Sequence, residues 1–193
     1  AGVGLKWRSR LLRRIEGDLA WFAAVRTGRE AHAPRRLACG DALRAGETFL
    51  RFFVEVDACS DWYGGGAYVD TCNPDATRLF IQVTHERYFE EVGGEFGMTI
   101  PGIFTDEPQR TNWTPSLQRE FSKRFGYDLL DHLPDLFFHI DGHLDSVVRL
   151  HHAEFMTDRF VQSFMRPIGE WCERHGLLLA GHVMNEDALT PQA

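Results

Sequence analysis

Between Asn73 and Asp106 the chain spells out a helix followed by a short strand, and that succession limits the fold more than any other feature of its 193 residues. Asn73 can cap a helix, Pro74 suits its first turn, and Asp75 meets the positive end of the helix dipole. Ala76, Leu79, Phe80, Val83 and Phe89 recur at helical spacing to about Glu91, and Gly93, Gly94 and Gly97 end the pattern. The apolar run Ile100 to Thr105 follows and stops at Asp106-Glu107-Pro108. A short apolar run flanked by Gly and Pro after a helix reads as a buried parallel strand.

The same alternation continues on both sides. Residues 49–56 alternate, which places Leu50, Phe52, Val54 and Val56 on one face of a strand. A loop rich in Gly, Ser and aromatics covers Asp57 to Cys72. Thr114-Pro115 opens a helix that ends near Phe125-Gly126. A long helical pattern spans about His143 to His175, with Val147, Leu150, Phe155, Phe160, Phe164, Ile168 and Trp171 inward, and Pro167 should kink or divide it. Leu177 to His182 reads as another buried strand. Strands alternating with helices predict an α/β fold with parallel pairing over residues 46–193. Residues 1–45 form a poorly defined leader, with 19–25 a strand or short helix and 26–36 a polar loop.

Composition removes several function classes. The chain carries 21 basic and 28 acidic residues for a net charge of -7, which argues against a general nucleic-acid binder. Nine Lys/Arg against three Asp/Glu make residues 1–36 basic, yet Trp7, Leu11, Leu12, Ile15, Trp21 and Phe22 interleave with them as in a folded segment. No apolar run reaches the ~18 residues of a membrane-spanning helix. Cys39, Cys59, Cys72 and Cys172 stand singly, without metal-ligand spacing, and mildly favour a reducing compartment. The cellular location is not encoded. The chain opens at Ala1 without Met and stops soon after a site-like segment, and so reads as a piece of a longer protein.

In parallel α/β folds, chemistry gathers at the carboxyl ends of strands. Two such ends carry ionisable clusters: Asp106-Glu107, and His182 with Glu186-Asp187. Pro108 turns the chain out of the strand directly after Glu107. Two carboxylates from different strands facing one cleft are what glycosidic cleavage needs, one protonated to donate to the leaving oxygen and one ionised as base or nucleophile. Acidic residues at strand ends also cap helices or bind loop amides, a structural reading of comparable weight. Trp62, Tyr63, Tyr68 and Trp113 fall in loops on the same predicted side, and flat aromatic faces suit sugar rings.

Tyr68-Val69-Asp70-Thr71-Cys72-Asn73-Pro74-Asp75, Thr84-His85-Glu86-Arg87-Tyr88, Ile100 to Pro108, Phe125-Gly126-Tyr127-Asp128 and Gly181-His182 together resemble the α-L-rhamnosidases of glycoside hydrolase family 106 over roughly residues 46–189. The resemblance implies a partial TIM-barrel-like (β/α)8 domain within a larger multidomain enzyme, flanked by strands from the leader. It also implies an inverting glycosidase acting on an α-L-rhamnoside-like carbohydrate, with calcium helping to hold the sugar. By position, Glu107 is the general acid and Glu186 the second carboxylate or a ligand. Asp106, His182, Trp62, Tyr63, Tyr68 and Trp113 are the expected substrate contacts. Asp106 stands where many barrel glycosidases carry Asn before the acid.

Other constellations carry less. There is no GxSxG, no HExxH and no phosphate loop after Gly64-Gly65-Gly66. His151-His152 diverge by about 100° on a helix and cannot share a metal. His85-Glu86 reads as a packing and hydrogen-bonding pair. Asp141-Gly142-His143-Leu144-Asp145 looks like a calcium loop but lacks the remaining oxygen ligands, and reads as a turn. No residue set is assigned to a metal. Two other functions compete: a non-catalytic carbohydrate-binding protein on the same scaffold, and a metal-dependent barrel hydrolase, which lacks a ligand pair at any strand end. A partial barrel would expose strand edges and an apolar surface, with association and weak or absent turnover as consequences.

Overall fold

The computed structural model describes residues 3–9, 18–56, 58–182 and 184. Its strands are β1 (Val3–Arg8), β2 (Asp18–Thr27), β3 (Glu30–Arg36), β4 (Thr48–Val56), β5 (Gly102–Asp106), β6 (His139–Ile140) and β7 (Leu178–His182). Its α-helices are α1 (Pro74–Phe80), α2 (Glu86–Val92), α3 (Leu117–Phe125), α4 (Val147–Phe160) and α5 (Arg166–Arg174). Two compact units result, one from Val3–Ala58 and Asn112–Phe155, the other from Cys59–Thr111 and the chain from Met156 onward. No helix among the described residues is long and apolar enough to cross a membrane.

The architecture corrects the expected parallel (β/α)8 barrel. The first unit holds a five-stranded mixed sheet in the order β1-β4-β2-β3-β6. Its β1–β4, β4–β2 and β2–β3 pairings are antiparallel, and only the short β3–β6 pairing is parallel. The second unit holds one parallel pair, β5–β7. Alternation along 49–56 identifies a strand but does not encode the direction of its neighbours. β4 is an interior strand, between β1 and β2, and is buried on both faces, since Phe49, Arg51 and Phe53 are buried as well as Leu50 and Phe52, while Val56 is exposed.

Residues 26–36, expected as a polar loop, contain β3. The pairing with β2 slips between Ala23 and Val25, and Ala33 on β3 lies at φ 47° beside Pro34. A bulge absorbs both residues, so the strand survives a sequence that looks broken. Asp141, itself at φ 51°, accepts the Ala33 N–H at 2.8 Å and stands 3.6 Å from His32. The calcium-like turn thus serves to pin β3.

In the second unit Asn73 caps α1 by accepting the Asp75 N–H at 3.0 Å. The helix continues through a π turn, Ile81–His85, into α2, and α4 continues through a π turn, Val161–Met165, into α5. Pro167 explains the latter: it brings no N–H to the ladder, and the Arg166 N–H reaches back five residues to Val161 O. Val147 and Leu150, expected inward, are exposed; Leu79, Val83 and Phe89, which recur at helical spacing, are exposed too, whereas Thr77 and His85 are buried. β5 and β7 were expected to be buried, yet Phe104 and Leu178 are 63% and 72% exposed.

Candidate functional site

Parallel pairing of β5 with β7 in the register Gly102↔Leu178 through Asp106↔His182 puts two polar side chains abreast where both strands end. His182 Nε2 lies 3.1 Å from Asp106 Oδ1. The Glu107 N–H donates to His182 O at 3.0 Å, so the ladder closes on Glu107. Glu107 then adopts φ 43°. A non-glycine residue in that region is unusual, and Pro108 adds its own restriction on the residue before it. Such a conformation costs roughly 1–3 kcal/mol and persists only where its surroundings enforce it.

A brace holds the next stretch of chain. Asp70 is buried and accepts from the Cys72 N–H at 3.1 Å and the Thr111 hydroxyl at 3.0 Å. Thr71 Oγ1 donates to Gln109 O at 2.7 Å, and the Tyr68 hydroxyl accepts the Gln109 N–H at 2.6 Å. Burial pushes the Tyr68 phenol up from its ordinary value, so it stays protonated. Tyr63 packs on Tyr68 with ring centroids 5.3 Å apart. Ser60 caps the turn carrying Trp62, which Gly64 and Gly65 reverse at φ 62° and 83°, leaving Trp62 87% exposed.

Asp106, Glu107, His182 and, through Gln109, Tyr68 with Tyr63 therefore come together. Trp113 is buried at 6% exposure, so it offers no open ring face. Glu186 lies outside the described residues, and its separation from Glu107 is not defined. Among the described residues no group of three His, Cys, Asp or Glu side chains could hold a metal, and Asp141 is committed to β3.

A groove of about 1120 Å³ runs beside β5. Asp106 and Pro108 border it, and Glu107 does not. Thr84, Arg87, Tyr88 and Glu91 also line it, polar residues that the sequence reading did not assign to the site. Their spacing, i, i+3, i+4 and i+7, marks one helix face and was the signal available. His85 lines the groove as well, at 4% exposure, edge-on to Phe80 and Trp171 with centroids 5.1 Å from each. Neither ring nitrogen has a hydrogen-bond partner, while Glu86 accepts from Trp171 Nε1 at 2.7 Å.

Burial holds the His85 imidazole below its usual range, partly offset by Glu86. A histidine depressed in the folded state contributes stability above its unfolded pKa of ~6.5, and that stability is lost as pH falls below it. His85→Phe should therefore flatten the pH dependence of urea-unfolding midpoints on the acid side of neutrality. An unchanged slope in the variant would remove His85 as its source.

No protein-family model matches the chain, and no curated protein matches it. Among solved structures it is similar to a rhamnosidase from Novosphingobium sp. PP1Y, with a TM-score of 0.52 and 16% identity over 78% of this chain. The chain spans 15% of that protein's length. At this identity the likeness is one of fold alone.

Proposed function

We propose that the carboxyl ends of β5 and β7 contribute to a glycoside hydrolase active site acting on an α-L-rhamnoside-like carbohydrate. The observation that carries the reading is Glu107, held at φ 43° directly beyond the Asp106–His182 pair. Strain of this kind collects at functional sites, and the fold likeness to a rhamnosidase supports the class. Glu107 is the general acid, donating its proton to the leaving oxygen. Asp106 and His182 bond sugar hydroxyls, and Trp62 and Tyr63 offer ring faces. Glu186 is the second carboxylate, and inversion is the expected outcome. Further segments of a larger enzyme complete the site, and the 193-residue chain alone turns over weakly or not at all.

One observation favours the alternative, a carbohydrate-binding protein without turnover. Glu107 is exposed and is not among the residues lining the groove, whereas a catalytic acid usually sits in an enclosed pocket. Glu107→Gln separates the two. In the complete enzyme it should lower kcat by at least about 100-fold, within the usual range for proton-transfer groups, and leave sugar affinity nearly unchanged. Sugar binding by the unsubstituted protein with no detectable turnover would establish the binding role instead.

A further inference from the structure

Glu107 and Pro108 form a span that is fastened at both ends. At the near end the Glu107 N–H donates to His182 O at 3.0 Å. At the far end both backbone groups of Gln109 are taken. Its N–H donates to the Tyr68 hydroxyl at 2.6 Å, and its carbonyl accepts from Thr71 Oγ1 at 2.7 Å. Further along, the Thr111 hydroxyl donates to Asp70 at 3.0 Å, and the Thr111 carbonyl accepts from the Cys72 thiol at 3.9 Å. The segment that supplies these groups is itself anchored. Asn73 N–H closes a turn onto Asp70 O at 3.1 Å, and Arg159 Nε donates to Cys72 O at 2.9 Å.

Little freedom remains between these fastenings. The Pro108 ring fixes its own φ, so φ and ψ of Glu107 and ψ of Pro108 must carry the chain from His182 to Tyr68. Glu107 meets this demand at φ 43°. A residue with a Cβ that precedes proline favours the extended region, so the fastening, and not local preference, sets this conformation. We propose that Tyr68 and Thr71 are positioning residues: by gripping Gln109, their hydroxyls hold Glu107 in its left-handed conformation and set where its carboxyl stands beyond the Asp106–His182 pair. The role rests on the reading of Glu107 as the general acid. Tyr68 then serves the site through its bond to the chain, with Tyr63 packed on its ring at 5.3 Å, and not as a sugar contact.

Tyr68→Phe keeps the ring and removes its hydroxyl, and Thr71→Val keeps the buried shape and removes the other. Conformation is read first, by urea unfolding of the 193-residue chain. At positive φ glycine escapes the Cβ penalty, whereas in an extended conformation alanine is favoured because glycine loses more freedom on folding. Glu107→Gly should therefore unfold at higher urea than Glu107→Ala in the parent chain. In the Tyr68→Phe/Thr71→Val background the order should reverse. Each comparison is made within one background, so a general loss of stability from the missing hydroxyls cancels. Tyr68→Phe alone should shrink the glycine advantage. An undiminished advantage there, or any order other than this reversal in the double background, would overturn the proposal.

Turnover supplies the second readout. In the complete enzyme Tyr68→Phe should lower kcat by about 10- to 100-fold with KM nearly unchanged, as for a displaced catalytic group. Added to Glu107→Gln it should cost nothing more, because the proton donor it positions is already gone. A further loss in that background would show Tyr68 acting independently of Glu107 and would overturn the assignment. Normal turnover by Glu107→Gln alone would instead overturn the general-acid reading, with the glycine–alanine order still deciding whether the hydroxyls set the conformation.

Discussion

Replacing Arg51 with Met should destabilise the five-stranded sheet by about 3–5 kcal/mol, the usual cost of removing one partner of a buried ion pair. Arg51 Nε donates to Asp18 Oδ1, and the two side chains are only 8% and 3% exposed. Asp18 also accepts from Trp21 Nε1 at 3.0 Å, and the Arg51 guanidinium lies 4.6 Å from the centre of the Phe53 ring. The pair ties β2 to β4 where Trp21 stands opposite Arg51 in the register. Met keeps the length and apolar packing of the arginine stem but removes the guanidinium that bonds the Asp18 carboxylate, itself only 3% exposed. The Arg51→Met/Asp18→Asn double variant should recover much of the loss, because a polar neutral group keeps the Trp21 bond with no charge to compensate. Urea unfolding with amide exchange of β2 and β4 as the local probe measures both. A double variant no better than Arg51→Met would mean that packing over Phe53, and not the lost ion pair, sets the effect.

Neither Arg51 nor Asp18 stands out in the sequence, because a salt bridge between residues 33 apart exists only once β2 and β4 have found their register. The features that could be read were local. Asn73-Pro74-Asp75 starts a helix by its own capping chemistry, and Pro167 interrupts one by lacking an N–H. Features that depend on a partner were hidden. The alternation of 49–56 names a strand but not whether its neighbours run with or against it, and here both neighbours of β4 run antiparallel to it. Helical spacing put Val83 and Leu79 on an apolar face, yet whether anything covers that face is a property of the packing. β3 was hidden for a third reason: its bulge at Ala33 needs Asp141, 108 residues away, to hold it. The candidate site divides the same way. Asp106, Glu107 and His182 were legible as strand-end residues, but only the β5–β7 register sets Asp106 against His182. Trp113, read as a loop aromatic, is core.

Gly181→Ala is expected to cost about 2–6 kcal/mol, the sum of backbone strain and overpacking, each worth roughly 1–3 kcal/mol. Gly181 lies at φ 147°, a conformation that side-chain-bearing residues rarely adopt, and a Cβ there would land on the Thr105 carbonyl oxygen. Thr105 is its register partner, one step before Asp106 meets His182. Any side chain at 181 must push β7 from β5 at that step, so the variant should lose site geometry together with stability. Amide exchange at Ile103, Thr105 and Glu107, whose N–H groups face β7, should quicken. Gly94→Ala serves as the control: its φ is not positive and nothing lies within 4 Å of an added Cβ. At such a position alanine should be neutral or slightly stabilising, by up to about 1 kcal/mol, through the unfolded chain. Equal protection in both variants would show that β5 and β7 do not approach this closely. Loss confined to Gly181→Ala would tie the ladder, and the Asp106–His182 pair at its end, to one glycine.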